Sequence, residues 1–340
     1  MAAQAARHAE RARPVSGPKF GAAVLIGRFQ PPHAAHLRVM LEALDLAEHL
    51  VVVLGSARAP RTPKNPFTDA ERATMLRAAL RSADVPDDMV SVVGVRDVYY
   101  HLPLWVQDVQ SAVHSVVGED AHVALVGFEK DASSFYLRLF PTWSFVPSTP
   151  HGTLSATEVR AALMAGKWRA LAKRVPYPVL PTIWAFAAST DGQTVEADAR
   201  AAEKLSENGV RRTAAAVVVA GDRLVLRPRD DAPGAGHLAL PERIGWDAHD
   251  AARAAAEALG LPAATLLAAH QDARLLNHPD RVPGARWVTQ AHLFRLDAPT
   301  GNPADWWPLS ALDTESERIF ADHARGAQAL LEGWPTPEGA

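Results

Sequence analysis

Two histidines three residues apart, His33 and His36, close the stretch Gly27-Arg28-Phe29-Gln30-Pro31-Pro32-His33-Ala34-Ala35-His36, which follows an apolar run and opens a helical one. A helix start exposes unpaired backbone N–H groups and the positive end of the helix dipole, so it is predisposed to hold phosphate. At this spacing both imidazoles fall on one face of that start. There they can donate hydrogen bonds to a triphosphate and stabilise charge building on a leaving pyrophosphate, which is electrostatic catalysis and not nucleophilic attack. A zinc site needs a third ligand at helical or loop spacing, and none is nearby; two incidental histidines are the plain alternative. A second segment, Thr153-Leu154-Ser155-Ala156-Thr157-Glu158-Val159-Arg160, offers Ser155 or Thr157 as a helix cap and Arg160, one turn in, as a guanidinium able to reach the same phosphates. Taken alone it reads equally as an ordinary capped helix.

Such side chains need a scaffold, and the chain around them alternates short apolar runs with helical stretches. Residues 22–26, 50–54, 90–95 and 122–126 read as strands, and helices are expected over about 35–48, 69–81 and 104–117. Uninterrupted apolar strands separated by helices of this length indicate a parallel sheet covered on both faces, a doubly wound α/β domain. Ligands of such a sheet bind at the carboxyl ends of its strands, and His33 and His36 follow the first of them.

The pattern changes after Val175. Proline punctuation from 175 to 181 and a polar stretch from Ser189 mark a helical tail and then a connection, with the first domain taken over 19–188, the linker over 189–211 and a second domain over 212–336. In that second domain, residues 214–220 and 224–227 flank Gly221-Asp222-Arg223 as a tight hairpin. An alanine-rich helix over about 248–259 stops at Gly260, a further strand covers 287–296, and a last helix runs through Leu331. This is an α+β domain and not a repeat of the first.

Composition narrows the partners. At 340 residues the chain exceeds what one hydrophobic core usually serves, so two domains are expected. With 35 Lys and Arg against 38 Asp and Glu, the formal charge of -3 gives no bulk pull toward nucleic acid or an anionic membrane, and an anionic ligand must be held by local positive groups. The absence of cysteine removes disulfides, thiolate nucleophiles and Cys-ligated zinc. No apolar run approaches the roughly 20 residues needed to span a bilayer. The Ala- and Arg-rich residues 1–18 lack the Ser enrichment of a transit peptide and the apolar stretch of a secretory signal, so a disordered tail and a cytoplasmic protein are expected.

The two chemical segments together resemble the nucleotidyltransferase superfamily with its (H/T)xGH and ISxTxxR signatures, and more narrowly the archaeal-like nicotinamide mononucleotide adenylyltransferases, which often open with GRFQPFHxGH. The resemblance continues through Gly55-Ser56-Ala57, Lys64-Asn65-Pro66-Phe67-Thr68, Asp97, Trp105 and Gly127-Phe128-Glu129-Lys130-Asp131, and covers about residues 21–175. It implies a Rossmann-like fold and adenylyl transfer from ATP to nicotinamide mononucleotide or nicotinate mononucleotide, assisted by Mg²⁺ and without a covalent enzyme intermediate. By motif match, His33, His36 and Arg160 would be catalytic, and Gly27, Arg28, Phe29, Gln30, Ser155 and Thr157 would bind ATP. Lys64 and Asn65 would lie near the mononucleotide, with Asp97 and Trp105 around its base. An indole face attracts a cationic pyridinium ring; a core tryptophan is the competing account of Trp105. One position departs from the motif: the glycine between the histidines is Ala35, where a methyl keeps a phosphate farther from the backbone than glycine does, so weakened activity is expected at most.

The second half resembles a Nudix domain, and the pairing resembles bifunctional adenylyltransferase/Nudix proteins. The Nudix metal helix follows REUxEExGU, whose clustered glutamates hold Mg²⁺ against a diphosphate. Aligned on Gly260, this chain reads Arg253-Ala254-Ala255-Ala256-Glu257-Ala258-Leu259-Gly260-Leu261, so two of three box glutamates are alanine and Glu257 is the remaining metal ligand. Glu242, Asp247 and Asp250 are the nearby carboxylates that would have to substitute. A degenerate domain without hydrolysis is therefore expected, left with binding or an oligomer contact as its role; Trp306 and Trp307 read as core or interface before base stacking. Three rivals stay open: a nucleotidyltransferase for another phosphorylated acceptor, an active hydrolase of ADP-ribose-type substrates, and a sensor of NAD-type nucleotides without chemistry.

Overall fold

The computed structural model describes residues 19–128, 136–149, 155–207 and 209–334. The tail 1–18, Glu129-Lys130-Asp131 and Thr153-Leu154 lie outside the described residues. Two compact units form: one takes Met1–Gly55, Ala70–Val95 and Val106–Leu180, the other Ser56–Asp69, Arg96–Trp105 and Pro181–Ala340, over their described residues.

In the first unit, β1 (Phe20–Gly27), β2 (Ala47–Leu54), β3 (Val90–Gly94), β4 (Val123–Gly127) and β5 (Ser144–Pro147) make one sheet in the order β3-β2-β1-β4-β5. Every pairing is parallel. The helices α1 (Ala34–Leu46) and α2 (Asp69–Arg81) connect the first strands, α3 (Leu102–Val117) precedes β4, and α4 (Ala156–Met164) and α5 (Trp168–Ala172) follow β5. Leu50, Val51, Val52 and Val53 of β2 are fully buried, as a strand covered on both faces requires. The order reverses direction at β1 and β4, so the crevice beyond their carboxyl ends is where such a sheet receives a ligand.

Two boundaries differ from the sequence reading. Helix α1 stops at Leu46, and Ala47 is already extended (φ -138, ψ 156) because it enters the ladder opposite Phe20. Cross-strand pairing there overrides the helical preference of Ala and Glu. Strand β5 carries only four residues, is mostly exposed and ends in proline, which is edge-strand chemistry with little apolar signal to read.

In the second unit, α6 (Leu180–Ala188) leads into α7 (Thr190–Ser206), capped by Ser189, whose hydroxyl accepts from the Gly192 N–H at 3.1 Å. The polar stretch read as a connection is thus largely a helix, with Val195 and Ala202, seven apart, buried on one face. Strands β6 (Arg211–Ala220), β7 (Arg223–Val225), β8 (Arg227–Pro228), β9 (Leu238–Ala239), β10 (Glu242–Ile244), β11 (His270–Leu276), β12 (Trp287–Arg295) and β13 (Trp306–Pro308) follow. The main sheet runs β11-β12-β6-β7-β13 with β10 also on β6, and β6 pairs with β12 in parallel. Helix α8 (Ala248–Leu259) ends at Gly260, which takes the left-handed conformation (φ 67, ψ 30) that glycine adopts without strain. Alternation along β6 sends Ala214, Ala216 and Val218 toward Ala251, Ala252 and Ala255 of α8. Val217 and Val219 face the other way, toward Leu240, Leu276 and Leu330, the last in α11 (His323–Leu331) after the short α9 (Ala263–Ala268) and α10 (Ala311–Thr314).

Candidate active site

Strand β1 ends at Gly27, and the chain then turns through Phe29, a non-glycine residue at φ 50, and a cis Gln30-Pro31 bond before α1 begins. Gly27 allows a close approach: a Cβ there would meet the Phe29 ring at 3.0 Å, so the ring would have to shift by a few tenths of an ångström. His33 takes the N-cap position of α1. Its ring stacks on that of His36, with centroids 3.5 Å apart and planes 17° from parallel, and Phe29 packs edge-on against His36 at 4.8 Å. The His33 backbone N–H donates to Nδ1 of His36 at 3.3 Å. That bond makes Nδ1 the acceptor, so a neutral His36 carries its proton on Nε2.

Arg160 comes to the same place from α4. Its guanidinium donates to the Gln30 carbonyl and to the Thr157 hydroxyl, both at 3.3 Å, while Ser155 caps the helix by accepting from the Glu158 N–H at 3.2 Å. Burial first, then the charge of Arg160, lowers the His33 pKa to about 4. Burial and the neighbouring His33 hold His36 well below its ordinary value. Both rings are therefore neutral at pH 7, and Nδ1 of His33 is buried without a hydrogen-bond partner. Thus His33, His36, Arg160, Gln30 and Thr157 meet at the carboxyl edge of the sheet.

One residue of this arrangement escaped the sequence reading. Arg72 of α2 is fully buried, and one of its nitrogens donates at 2.7 Å to both the Arg28 carbonyl and the Gly55 carbonyl. Gly55 in turn donates its N–H to the Gly27 carbonyl at 3.0 Å. The loops after β1 and β2 are thereby tied together behind Arg28. A signal was present: Arg72 falls on the same helical stripe as Met75, Leu76, Ala79 and Leu80, the buried face of α2.

The residues matched to the mononucleotide lie in the second unit. Asp97 accepts from the Ser56 backbone N–H and from the Tyr99 hydroxyl, each at 3.1 Å. Lys64 forms an ion pair with Asp280, and Asn65 keeps a buried Oδ1 without a partner. Trp105 is half-buried in the first turn of α3, not enclosed in the core.

Helix α8 of the second unit places Glu257 on its outer side, with the side chain 74% exposed and paired to Arg243 at 3.3 Å. The carboxylates that would have to replace the missing glutamates are engaged elsewhere. Asp247 caps α8 by accepting from the Asp250 N–H at 3.0 Å, and Asp250 accepts from the Trp246 N–H at 2.9 Å. Glu242 is buried and accepts from the Thr213 hydroxyl at 2.6 Å; burial pushes its carboxyl up, but His323 and Arg281 outweigh that and hold it below the usual range. Among the described residues no group of three or more His, Asp or Glu could hold a metal ion. Trp306 is buried and donates its indole N–H to the Thr300 carbonyl at 2.7 Å, a core role, and Trp307 packs half-buried against the core. No helix among the described residues is long and apolar enough to cross a membrane.

Comparison with known proteins bears on the same residues. A cytidylyltransferase-like family model matches residues 24–162. The nicotinamide/nicotinic acid mononucleotide adenylyltransferase of Acinetobacter baylyi is 39% identical over 150 residues, 44% of this chain and 78% of that relative. The nicotinamide-nucleotide adenylyltransferase of Pyrococcus horikoshii is 32% identical over 42% of this chain and 73% of its own length. The chain belongs to this adenylyltransferase family. Over the full length, a bifunctional NMN adenylyltransferase/ADP ribose pyrophosphatase from Francisella tularensis, solved with AMP and a manganese ion, has the same fold: TM-score 0.82 at 23% identity, covering 93% of this chain and 100% of that one. The resemblances to a Rossmann-like nucleotidyltransferase and to a two-domain adenylyltransferase/Nudix architecture are thus borne out, as is the doubly wound sheet followed by a second domain. Relative to the family motif, Ala35 stands half-buried in the first turn of α1, between the stacked rings in sequence.

Proposed function

We propose that this adenylyltransferase joins ATP to nicotinamide mononucleotide, giving the dinucleotide and pyrophosphate. The observation that carries the reading is the stacked His33–His36 pair beside Arg160 at the switch point of a parallel sheet, in a chain 39% identical to a mononucleotide adenylyltransferase. An oxygen of the mononucleotide phosphate attacks the α-phosphorus of ATP, the bond from that phosphorus to the bridging oxygen breaks, and pyrophosphate leaves with the electron pair. Nothing on the protein needs to become covalently attached.

The side chains act by placement and charge. The Nε2–H of His36 and the Arg160 guanidinium donate to the phosphate oxygens on which charge accumulates, and the orphaned nitrogen of His33 gains a phosphate partner. Arg28, Phe29, Gln30 and the Gly27 backbone shape the ATP end, with Ser155 and Thr157 setting the position of Arg160. Lys64, Asn65, Asp97 and Trp105 are assigned to the mononucleotide. Among the described residues, those gathered around the histidine pair include no carboxylate, so Mg²⁺ would come with ATP and would supply further charge neutralisation at its phosphates. The Nudix-like domain is assigned no hydrolysis, since Ala254 and Ala258 stand where two of the three box glutamates are expected.

The test is a panel of phosphorylated acceptors incubated with ATP, Mg²⁺ and purified protein. Pyrophosphate and a dinucleotide are expected with nicotinamide mononucleotide or with nicotinate mononucleotide. No product with either, and turnover of a different acceptor, would move the chain to another substrate on the same fold.

A further inference from the structure

The segments that carry Lys64, Asn65 and Asp97 meet one turn from far along the chain, His278-Pro279-Asp280-Arg281, within the same unit. The His278 ring stacks on Tyr99, with centroids 4.1 Å apart and planes 27° from parallel. The Tyr99 hydroxyl donates to one oxygen of Asp97 at 3.1 Å, and the Ser56 N–H donates to the other at the same distance. Two residues on, Asp280 pairs with Lys64. Arg281 then enters the core, where its Nε donates to Asp322 at 2.9 Å, and Asp322 also accepts from the Tyr100 hydroxyl. One turn thus holds residues 56–69 through Lys64 and residues 96–105 through Tyr99 and Tyr100.

The turn is braced from within. The Asp280 N–H donates to Nδ1 of His278 at 3.2 Å and the Arg281 N–H to the His278 carbonyl at 3.1 Å, which fixes the ring against Tyr99. The Arg281–Asp322 pair is almost fully enclosed, so the turn is anchored in the core. Burial, then the charge of Asp97, raises the Tyr99 hydroxyl well above its ordinary value, and it stays a donor to Asp97 throughout the working pH range. With one hydrogen bond on each oxygen the plane of the Asp97 carboxylate is set, and each oxygen keeps a lone pair for a ligand. The Lys64–Asp280 pair differs: its side chains are 22% and 39% exposed, and such pairs add little to stability. What it governs is where the ammonium points.

Resting on the reading of Lys64, Asn65 and Asp97 as the mononucleotide side of the reaction, we propose that His278 and Asp280 are positioning residues for the acceptor. The His278 ring, through Tyr99, sets the Asp97 carboxylate, and Asp280 sets the Lys64 ammonium. Neither residue touches the reacting atoms. Groups already held in their bound geometry lose less freedom when the ligand arrives, so the effect falls on affinity for the mononucleotide and not on ATP, which is assigned to other residues. The half of the chain whose metal box is alanine at two positions thereby has a part in adenylyl transfer.

The experiment is steady-state pyrophosphate release by the full-length protein, with nicotinamide or nicotinate mononucleotide varied at saturating ATP and then ATP varied at saturating acceptor. Wild type is compared with His278→Ala, His278→Phe and Asp280→Asn. KM for the mononucleotide is expected to rise tenfold or more in His278→Ala and threefold or more in Asp280→Asn, with kcat and KM for ATP within twofold of wild type, which also certifies that the variants fold. His278→Phe keeps a ring to stack on Tyr99 and should stay within threefold of wild type. Should His278→Ala not fold, Asp280→Asn, at a partly exposed position, decides alone. Acceptor KM values equal to wild type, a parallel rise in KM for both substrates, or a lower acceptor KM in Asp280→Asn, which would make Asp280 a competitor for Lys64, would each overturn the proposal. No dinucleotide from the wild type with either mononucleotide would strike the adenylyltransferase reading and this proposal with it, whereas product from the wild type with unchanged acceptor KM in the variants strikes this proposal alone.

Discussion

The two units are built alike in one respect and differ in another. Each sets a helix start or helix face beside a sheet and stacks a nitrogen-bearing group on a ring, His33 on His36 in the first and Arg211 on Trp287 in the second. In the first unit the side chains that the motif match assigns to chemistry are all present, and Ala35 stands where the motif has glycine. In the second, Gly260 is left-handed at the end of α8, as the Nudix motif would have it, while Ala254 and Ala258 stand where that motif has glutamate. A fold keeps its capping and packing residues because stability depends on them, whereas a metal box can erode without disturbing the core. Sequence identity accordingly speaks for adenylyl transfer in the first unit, while similarity of fold says nothing for hydrolysis in the second.

The sharpest way to break that contrast is His36→Ala. If the first unit is the working site, turnover falls by roughly 10²–10³, the usual cost of losing one preorganised donor to a developing oxyanion, with the circular dichroism spectrum and melting temperature close to wild type. Turnover within a fewfold of wild type would remove the histidine pair from the mechanism.

Next in size is Arg72→Leu. The side chain is fully buried and serves two carbonyls with one nitrogen, so its removal leaves both acceptors without their donor. A loss of about 2–4 kcal/mol is expected from urea denaturation, in line with the cost of orphaning buried groups bonded to a charge. Because the same bonds tie the loops after β1 and β2, KM for ATP should rise in the protein that remains folded. An unchanged midpoint would mean that the loops hold themselves.

The pH dependence separates the units further. His33 has a folded pKa of about 4 against an ordinary value of 6.5, so the folded state prefers the neutral ring. The associated stability is present above pH 6.5 and is lost as pH falls from there toward 4. ATP brings negative charge beside the ring and favours its protonated form, so binding near pH 6 should take up protons and binding near pH 8 should not. Calorimetric heats in buffers of different ionisation enthalpy measure this directly, and proton release at pH 6 would contradict the placement of triphosphate against His33.

Much of this was legible before any coordinates. The strands β1 to β4 announced themselves as apolar runs, and HxxH with the downstream Arg160 marked the edge of the sheet at which they meet. Less legible was whatever depends on partners distant in sequence. Arg72 drew no reading from the sequence because its two acceptors are the backbone carbonyls of Arg28 and Gly55, which leave no mark on side-chain types. Arg211, Arg227, Arg229 and Arg243, which line one cavity of the second unit, come from β6, the β7–β9 region and β10, and only the sheet pairing assembles them. Likewise α7 was obscured by its polarity: its buried face is thin, with Val195 and Ala202 as its apolar members.

The smallest expected effect concerns the single departure in the better-preserved site. Ala35 follows the N-cap His33 by two positions, in the first turn of α1, next to Ala34, whose N–H donates to the Arg174 carbonyl at 3.0 Å; a phosphate at this helix start would rest on the N–H groups that follow. The Ala35 methyl adds bulk next to those groups but changes neither the stacking of the rings nor the bond from the His33 N–H to His36. Ala35→Gly should therefore lower KM for ATP a fewfold with kcat nearly constant, since closer backbone approach strengthens ground state and transition state alike. Glycine within a helix also costs about 0.5–1 kcal/mol relative to alanine, so a gain in affinity would come with a slightly lower melting temperature. A gain in kcat of tenfold or more would show instead that the methyl displaces the reacting phosphorus itself, which would narrow the difference between the two units: both would then carry substitutions that impair chemistry, in the first through geometry and in the second through missing charge.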